Sequence, residues 1–372
     1  MTSLESLSPL EIAPAAALYA MRRDPLTFFT KLTREHGDFV RFRLGEHEHD
    51  LFFVNHPDNI REVLVTQDRN FTKWFSVERF KVVMGEGLFV SEGDFHMRQR
   101  KLSQPAFHRE RIAGYADQMT AFTIQLRDRW QAGDVIDIAG EMNWLAMMIV
   151  GATLFGANVG SDAEEIRDAL SEILDQFERT ILPTADREDF ERALGRLNVV
   201  IYRIIAERRA SGEDRGDLLS MLLLAQDEDD GSKMTDVQLR DEAMTIFLAG
   251  HETSANALAW CWYLLAQHPE IEAQLHEEVD RVLGGRPARM QDVPELSLTS
   301  RAFSEALRLY PPVWAVGRQA INDCTIAGTP VPKGSVLILS QYVTHRDPRW
   351  YQDPERFDPE RWQPAALWSR RC

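Results

Sequence analysis

Cysteine is scarce in this sequence: Cys261, Cys324 and Cys372 are its only three. They are too few and too scattered for a disulfide framework or a zinc site, which points to a reducing, cytoplasmic setting. No stretch reaches the roughly 20 consecutive apolar residues that a membrane-spanning helix needs. The longest apolar run near the N-terminus, Ile12 to Met21, is broken at Pro14 and has no basic segment ahead of it, so it reads as neither an anchor nor a secretion signal. Basic side chains are in deficit too, with 42 Lys and Arg against 58 Asp and Glu and a net charge of −16. An acidic balance without a dense basic tract repels phosphate backbones, so nucleic acid is not an expected partner. Also absent are a G-x-S-x-G nucleophile elbow, a G-x-x-x-x-G-K-[ST] phosphate loop and a G-x-G-x-x-G turn between a strand and a helix. The chain therefore binds no flavin or nicotinamide dinucleotide in the usual way. What it does hold, over 372 residues, is 19 Phe, 9 Trp and 7 Tyr, enough apolar surface to offset the entropy of ordering and to build a deep globular core.

The pattern along the sequence is mainly α, a large helical body with a small β-sheet contributed by both ends. Asp24-Pro25 supplies a cap and a first-turn proline and Gly37 a stop, which predicts a helix from Pro25 to His36. Two β-prone runs follow, Phe39 to Leu44 and Leu51 to Val54, joined by the turn Gly45 to Asp50 as a hairpin. From Pro105 to Leu283 apolar residues recur at helical spacing, with breaks at Gly133, Gly160, Pro183, Gly212 and Gly231. Strand signals return at Cys324 to Ile326 and Thr329 to Val331, around Ala327-Gly328, and at Val336 to Leu339. The run Gly45-Glu-His-Glu-His-Asp50 carries metal-ligand side chains but reads as a solvated turn. Asp227-Glu-Asp-Asp-Gly231 lacks the spacing of a calcium loop, so no metal ligand set is expected among the side chains.

One segment stands apart. Thr235-x-x-Gln238 is a capping-box start, and the apolar period then runs to Gln267, just before Pro269. A helix of that length measures roughly 48 Å at about 1.5 Å per residue. Its middle reads Ala249-Gly-His-Glu-Thr-Ser-Ala255, small and polar residues inside an apolar helix, although a mid-helix Gly costs about 1 kcal/mol against Ala. Two readings stay open. Thr253 can bond back to the carbonyl one turn earlier while Glu252 faces solvent, or Gly250 can admit a ligand close to the helix axis while Glu252 and Thr253 hold water and pass protons into an apolar pocket. A second helix, Ser300 to Tyr310, carries Glu305 and Arg308 at i, i+3, and ends at Pro311-Pro312. Past it, Tyr351 to Trp362 is a Pro- and Asp-rich loop that frames Arg361 with aromatics.

Taken together, in this order and spacing, these segments resemble the cytochrome P450 family of haem-thiolate monooxygenases, of the soluble bacterial type, over nearly the whole sequence as one domain, 1–372. Ala249-Gly-His-Glu-Thr253 matches the family's oxygen-binding helix motif, Glu305-x-x-Arg308 its helix motif, and Phe357-x-Pro-Glu-Arg361-Trp362 the segment whose Arg completes a Glu-Arg-Arg network. The resemblance implies that Glu305, Arg308 and Arg361 form a buried structural cluster. It implies haem, iron protoporphyrin, held by Ala249, Gly250 and Thr253 on the long helix, by His96 and Arg100 within Gly93 to His108, and by Arg318. Two haem propionates need such charge-assisted partners. Glu252 and Thr253 take the catalytic role of passing protons to the oxygen being activated. The implied partners are a small apolar substrate, dioxygen, and a ferredoxin- or flavodoxin-type protein that supplies electrons. The aromatic stretch Phe71 to Phe95, with Phe71, Trp74, Phe75, Phe80 and Phe89, would roof the substrate pocket, and Val313 to Val316 would line it.

In one respect the sequence departs from the pattern. The family's iron-binding cysteine sits in a Phe-x-x-Gly-x-x-x-Cys-x-Gly loop beyond the Pro-Glu-Arg-Trp segment, and here only ten residues follow Trp362. The expectation is a sequence truncated at its C-terminus, before that loop and the helix after it, with no axial Cys. Cys372 has neither the turn nor the helix N-terminus that would lower its pKa, and Cys261 and Cys324 are misplaced for the role. An active monooxygenase and a non-catalytic remnant unable to form the thiolate-haem centre are thus the two functional readings.

Overall fold

The computed structural model describes residues 19–21, 23–42, 50–74, 80–156, 168–169, 172–173, 187–226 and 231–363. In sequence order its main elements are α1 (Pro25–His36), β1 (Phe39–Phe42), β2 (Leu51–Val54), β3 (Phe71–Lys73), α2 (Gly93–Ser103), α3 (Arg109–Arg127), α4 (Ile138–Phe155), α5 (Arg187–Ser211), α6 (Asp236–Gln267), α7 (Pro269–Leu283), α8 (Ser297–Leu309), β4 (Val316–Ala320), β5 (Cys324–Ile326), β6 (Thr329–Val331) and β7 (Val336–Leu339). The protein divides into two compact units, Met1–Arg79 with Arg301–Cys372, and Phe80–Ser300. Among the described residues no helix is long and apolar enough to cross a membrane.

The first unit holds a five-stranded sheet in the order β1-β2-β7-β4-β3. The expected hairpin is present: β1 and β2 pair antiparallel from Phe39 opposite Val54 to Phe42 opposite Leu51. Central β7 runs parallel to β2 and antiparallel to β4. It is buried along its full length, which is why Val336-Leu-Ile-Leu339 reads as an unbroken apolar run rather than an alternation. Alternate residues serve opposite faces. Phe53, Val336 and Ile338 join Phe29 and Leu32 of α1 on one side, where the Phe29 and Phe53 rings stack at 4.6 Å. Phe52, Val54, Leu337 and Leu339 join Val63, Phe71 and Ile326 on the other.

One expectation changes here. Phe71 is not part of a roof: it starts β3, pairs with Ala320 and lies buried in the second core cluster. Val313 to Val316 stay at least partly accessible: Val316 begins β4 and packs on that cluster, Trp314 and Ala315 pack on the first, and Val313 is exposed. A pairing partner distant in sequence makes a three-residue strand that local propensity does not reveal.

The second unit is helical. The Thr235 hydroxyl accepts from the Gln238 amide while the Gln238 side chain accepts from the Thr235 amide, so α6 starts where the capping box says it should. It buries Leu239, Ala243, Met244, Phe247, His251 and Ala255, a stripe at helical spacing. α6 packs most extensively against α4, with Leu258 and Ala259 resting on a core of Leu126, Met142 and Leu145. α8 begins three residues before the expected Ser300 because its cap is supplied from α7. The Glu278 carboxylate accepts from the Leu298 amide at 2.7 Å and the Thr299 amide at 2.9 Å, satisfying donors that a helix start leaves open.

Candidate functional site

In the middle of α6 the back-bond of the first reading is formed, and the second reading then rests on the acceptor side of the Thr253 oxygen. Thr253 Oγ1 donates to the Ala249 carbonyl at 2.5 Å, and Glu252 is exposed. The back-bond uses the hydroxyl proton, so the Thr253 oxygen is left as an acceptor on a flank where Ala249 is exposed and Gly250 and Thr253 are half-buried. A Cβ on Gly250 would sit 3.2 Å from Val150 Cγ2 of α4. The bare Cα thus serves the close packing of α4 on α6, a reason the motif alone does not give.

His251, between them, points the other way. It is 3 % exposed, and its Nε2 lies 3.1 Å from Asn143 Oδ1 and 3.2 Å from the Asn143 carbonyl. Two acceptors at Nε2 fix the proton there and leave Nδ1 buried, with no hydrogen-bond partner among the described residues. Burial holds its pKa below the ordinary histidine value, against the opposing pull of the Asn143 carbonyl. His345, in the other unit, is lowered for the same first reason. A folded pKa below the unfolded one means that the unfolded state takes up protons first. Stability is therefore complete above about pH 6.5 and falls as the pH drops through that value. Urea midpoints measured from pH 8 to pH 5 should show this decline, and a His251→Gln variant, which keeps a donor to Asn143 but cannot titrate, should show less of it.

The expected propionate partners lie in different elements. His96 and Arg100 share one face of α2, four residues apart. His96 is half-buried with Nδ1 3.4 Å from Ser91 Oγ, and Arg100 is exposed, with no ion pair among the described residues. Arg318 is half-buried on β4, where its Nη1 donates to the Gly317 carbonyl at 3.0 Å.

Glu305, Arg308 and Arg361 do come together, in the first unit, at 0 %, 1 % and 7 % exposure. Glu305 Oε1 accepts from Arg308 Nη2 at 2.8 Å, the Asp358 amide at 3.0 Å and Arg361 Nε at 3.1 Å. Its Oε2 accepts from Arg308 Nε at 2.8 Å and Trp362 Nε1 at 3.0 Å. Arg308 also donates to the carbonyls of His345, Pro354 and Arg356, and Arg361 to that of Asp353. Burial alone would raise the Glu305 pKa, but the Arg308 guanidinium and the other donors hold it below the usual carboxylate value.

Neither described thiol is poised to ionise: burial pushes Cys261 up to about 11, and burial is also the main cause raising Cys324. Cys372, Phe75 and most of the loops 45–50 and 227–231 lie outside the described residues. Sequence reasoning missed the buried acids Asp241 and Glu242 and the His251–Asn143 contact. An acidic pair next to Arg240 near a helix start looks like a solvated face.

The family model described as Cytochrome P450 matches residues 7–370. A match that runs to residue 370 gives no support to the expectation of a truncated sequence. Cyclooctatin synthase of Streptomyces melanosporofaciens is 40 % identical over 370 residues, covering 96 % of this chain and 80 % of that protein. Cyclooctat-9-en-7-ol 5-monooxygenase of the same organism is 36 % identical, over 92 % of this chain and 76 % of that one. Pentalenene oxygenase of Streptomyces avermitilis is 36 % identical, over 98 % and 82 %. A family match over nearly the whole length, joined to relatives named for monooxygenation and oxygenation, means that this chain belongs to the cytochrome P450 family and is a monooxygenase of that family.

Proposed function

We propose that the protein inserts one oxygen atom of dioxygen into a small, largely apolar organic substrate, of the kind named in pentalenene oxygenase and cyclooctat-9-en-7-ol 5-monooxygenase, with electrons from a separate ferredoxin- or flavodoxin-type protein. The observation that carries this reading is the Thr253 hydroxyl, committed as donor to Ala249 and open as acceptor on the small-residue flank of α6. The donor set fits the ring and the two carboxylates of haem, while no thiol poised to ligate its iron lies among the described residues. A flat apolar ring needs a flank without large side chains, which the exposed Ala249 provides, and its two carboxylates need cations or hydrogen-bond donors. Arg100 and His96 on α2, in the same unit as α6, supply them.

When bound, the haem supplies dioxygen activation and oxygen transfer. The protein's own groups do the rest. Thr253 Oγ1 accepts a hydrogen bond from a water or hydroxyl beside it and so fixes the position from which a proton moves. Glu252, exposed one residue away, exchanges protons with solvent. Phe80 and Phe89 meet edge to face at 5.6 Å, and Phe89 remains 43 % exposed, a wall that favours an apolar substrate over a polar one. Glu305, Arg308 and Arg361 touch no substrate and act through the fold.

The direct test is to load the full-length protein with haemin and supply pentalenene, labelled dioxygen and a ferredoxin with its reductase. A product carrying one labelled oxygen atom is expected. Haemin uptake with no oxygenated product from pentalenene or a panel of similar hydrocarbons would overturn the reading.

A further inference from the structure

Glu242 is fully buried near the start of α6, three turns before Thr253. Its two carboxylate oxygens serve two different elements. Oε2 accepts from the Leu88 amide at 3.2 Å, in the segment that carries Phe89, and Oε1 accepts from Gln99 Nε2 at 3.3 Å, on α2. Gln99 is 1 % exposed, and its other amide atom, Oε1, finds no partner among the described residues. Among the described residues its side chain is therefore hydrogen-bonded at the Glu242 end only.

The neighbouring acid acts on the same segment. Asp241 Oδ2 accepts from the Glu86 amide at 2.9 Å, while Oδ1 pairs with Arg240 Nη1 at 2.9 Å. At Gly85 and Gly87, which alternate with these bonds, the backbone lies too close to α6 for any side chain. A Cβ on Gly87 would overlap Thr245 Oγ1 and the Asp241 carbonyl, and one on Gly85 would overlap the Asp241 carboxylate. Gly85 to Leu88 thus lies against one and a half turns of α6, tied by side-chain carboxylates to backbone amides.

We infer that Glu242 is a positioning residue, whose one buried carboxylate fixes both the segment bearing Phe89 and the helix bearing His96 and Arg100 against α6. Gln99 faces α6 while its neighbour Arg100 is exposed, so the Gln99 bond sets the rotation of α2 and with it the direction of Arg100. The significance of Arg100 and Phe89 rests on the proposed function; the clamp does not.

Amide hydrogen exchange on the full-length protein tests it. Glu242→Met keeps the length of the side chain and removes both acceptors, whereas Glu242→Gln keeps an acceptor for Leu88 and, with the Gln99 amide turned over, a donor for its Oε1. The Met variant should exchange Leu88 and the amides of α2 roughly tenfold faster or more, with α7 unchanged, and should bind haemin several-fold more weakly. The Gln variant should restore all of these. Wild-type exchange at Leu88 in the Met variant, or a Gln variant that behaves like Met, overturns the proposal. If the Met variant does not fold, Gln99→Leu cuts the α2 tie alone and should speed exchange in α2 but not at Leu88; unchanged α2 amides would overturn the proposal equally. A wild-type protein that takes up no haemin would count against the roles given to His96 and Arg100, while exchange at Leu88 still decides the clamp.

Discussion

Replacing Glu305 by Ala is expected to lower the unfolding free energy by about 3–5 kcal/mol, the usual cost of breaking a buried charge network from one side. The carboxylate is wholly buried and accepts from Arg308 twice, from Arg361, from Trp362 and from the Asp358 amide. Its loss strands two buried guanidinium groups, whose remaining hydrogen-bond partners among the described residues are carbonyls that cannot neutralise them. Domains are stable by only about 5–15 kcal/mol, so most of the margin is at stake. Urea unfolding followed by tryptophan fluorescence reads the change. Arg308→Lys should recover little of it, because an ammonium cannot reproduce the fork that meets both Glu305 oxygens and three carbonyls at once. The pH sense is fixed as well. Glu305 has its pKa lowered on folding, so its contribution is complete above the ordinary Glu value and is lost as the pH falls through the folded one. An unfolding free energy reduced by less than about 1 kcal/mol in Glu305→Ala would remove the network from the fold's supports.

That cluster also shows where the sequence stops being legible. Glu305 and Arg308 at i, i+3 are an ordinary surface pair worth a few tenths of a kcal/mol, and only the resemblance marked them as buried. Their energetic weight comes from Asp358, Arg361 and Trp362, which the fold brings back from fifty residues away. Elements whose start and stop are local were readable: Asp24 caps α1, and Thr235 with Gln238 caps α6, at the expected positions. Where a boundary depends on a distant group, local pattern failed. α8 starts early because Glu278 caps it, and Phe71 became a strand because Ala320 lies opposite. Glu242 was invisible for a related reason: burial of a carboxylate is decided by the amides that reach it, and one of these is the backbone of Leu88, which carries no signal in the sequence.

Removing the Thr253 hydroxyl is the change with the largest expected effect on chemistry. In Thr253→Ala the helix itself should not suffer, since Ala is the better helix former and the lost bond runs only to Ala249, one turn away. Unfolding midpoints and haemin uptake should stay at wild-type values. Oxygenated product per electron pair consumed should fall about a hundredfold, near the lower end of what one positioned proton-transfer group contributes, with the reducing equivalents appearing as peroxide or water. Thr253→Ser preserves both the donation to Ala249 and the acceptor oxygen, so it should retain most of the yield. Thr253→Val keeps the shape and removes the oxygen, so it should fail as Ala does. The pair separates two explanations that Ala alone confuses. If Val retains the yield, the side chain matters as bulk beside the substrate; if Ser retains it and Val does not, the acceptor on the uncovered flank of α6 is the working group. Equal yields in all four proteins would leave the middle of α6 with no part in proton handling, and the proposed chemistry would lose the observation that carries it.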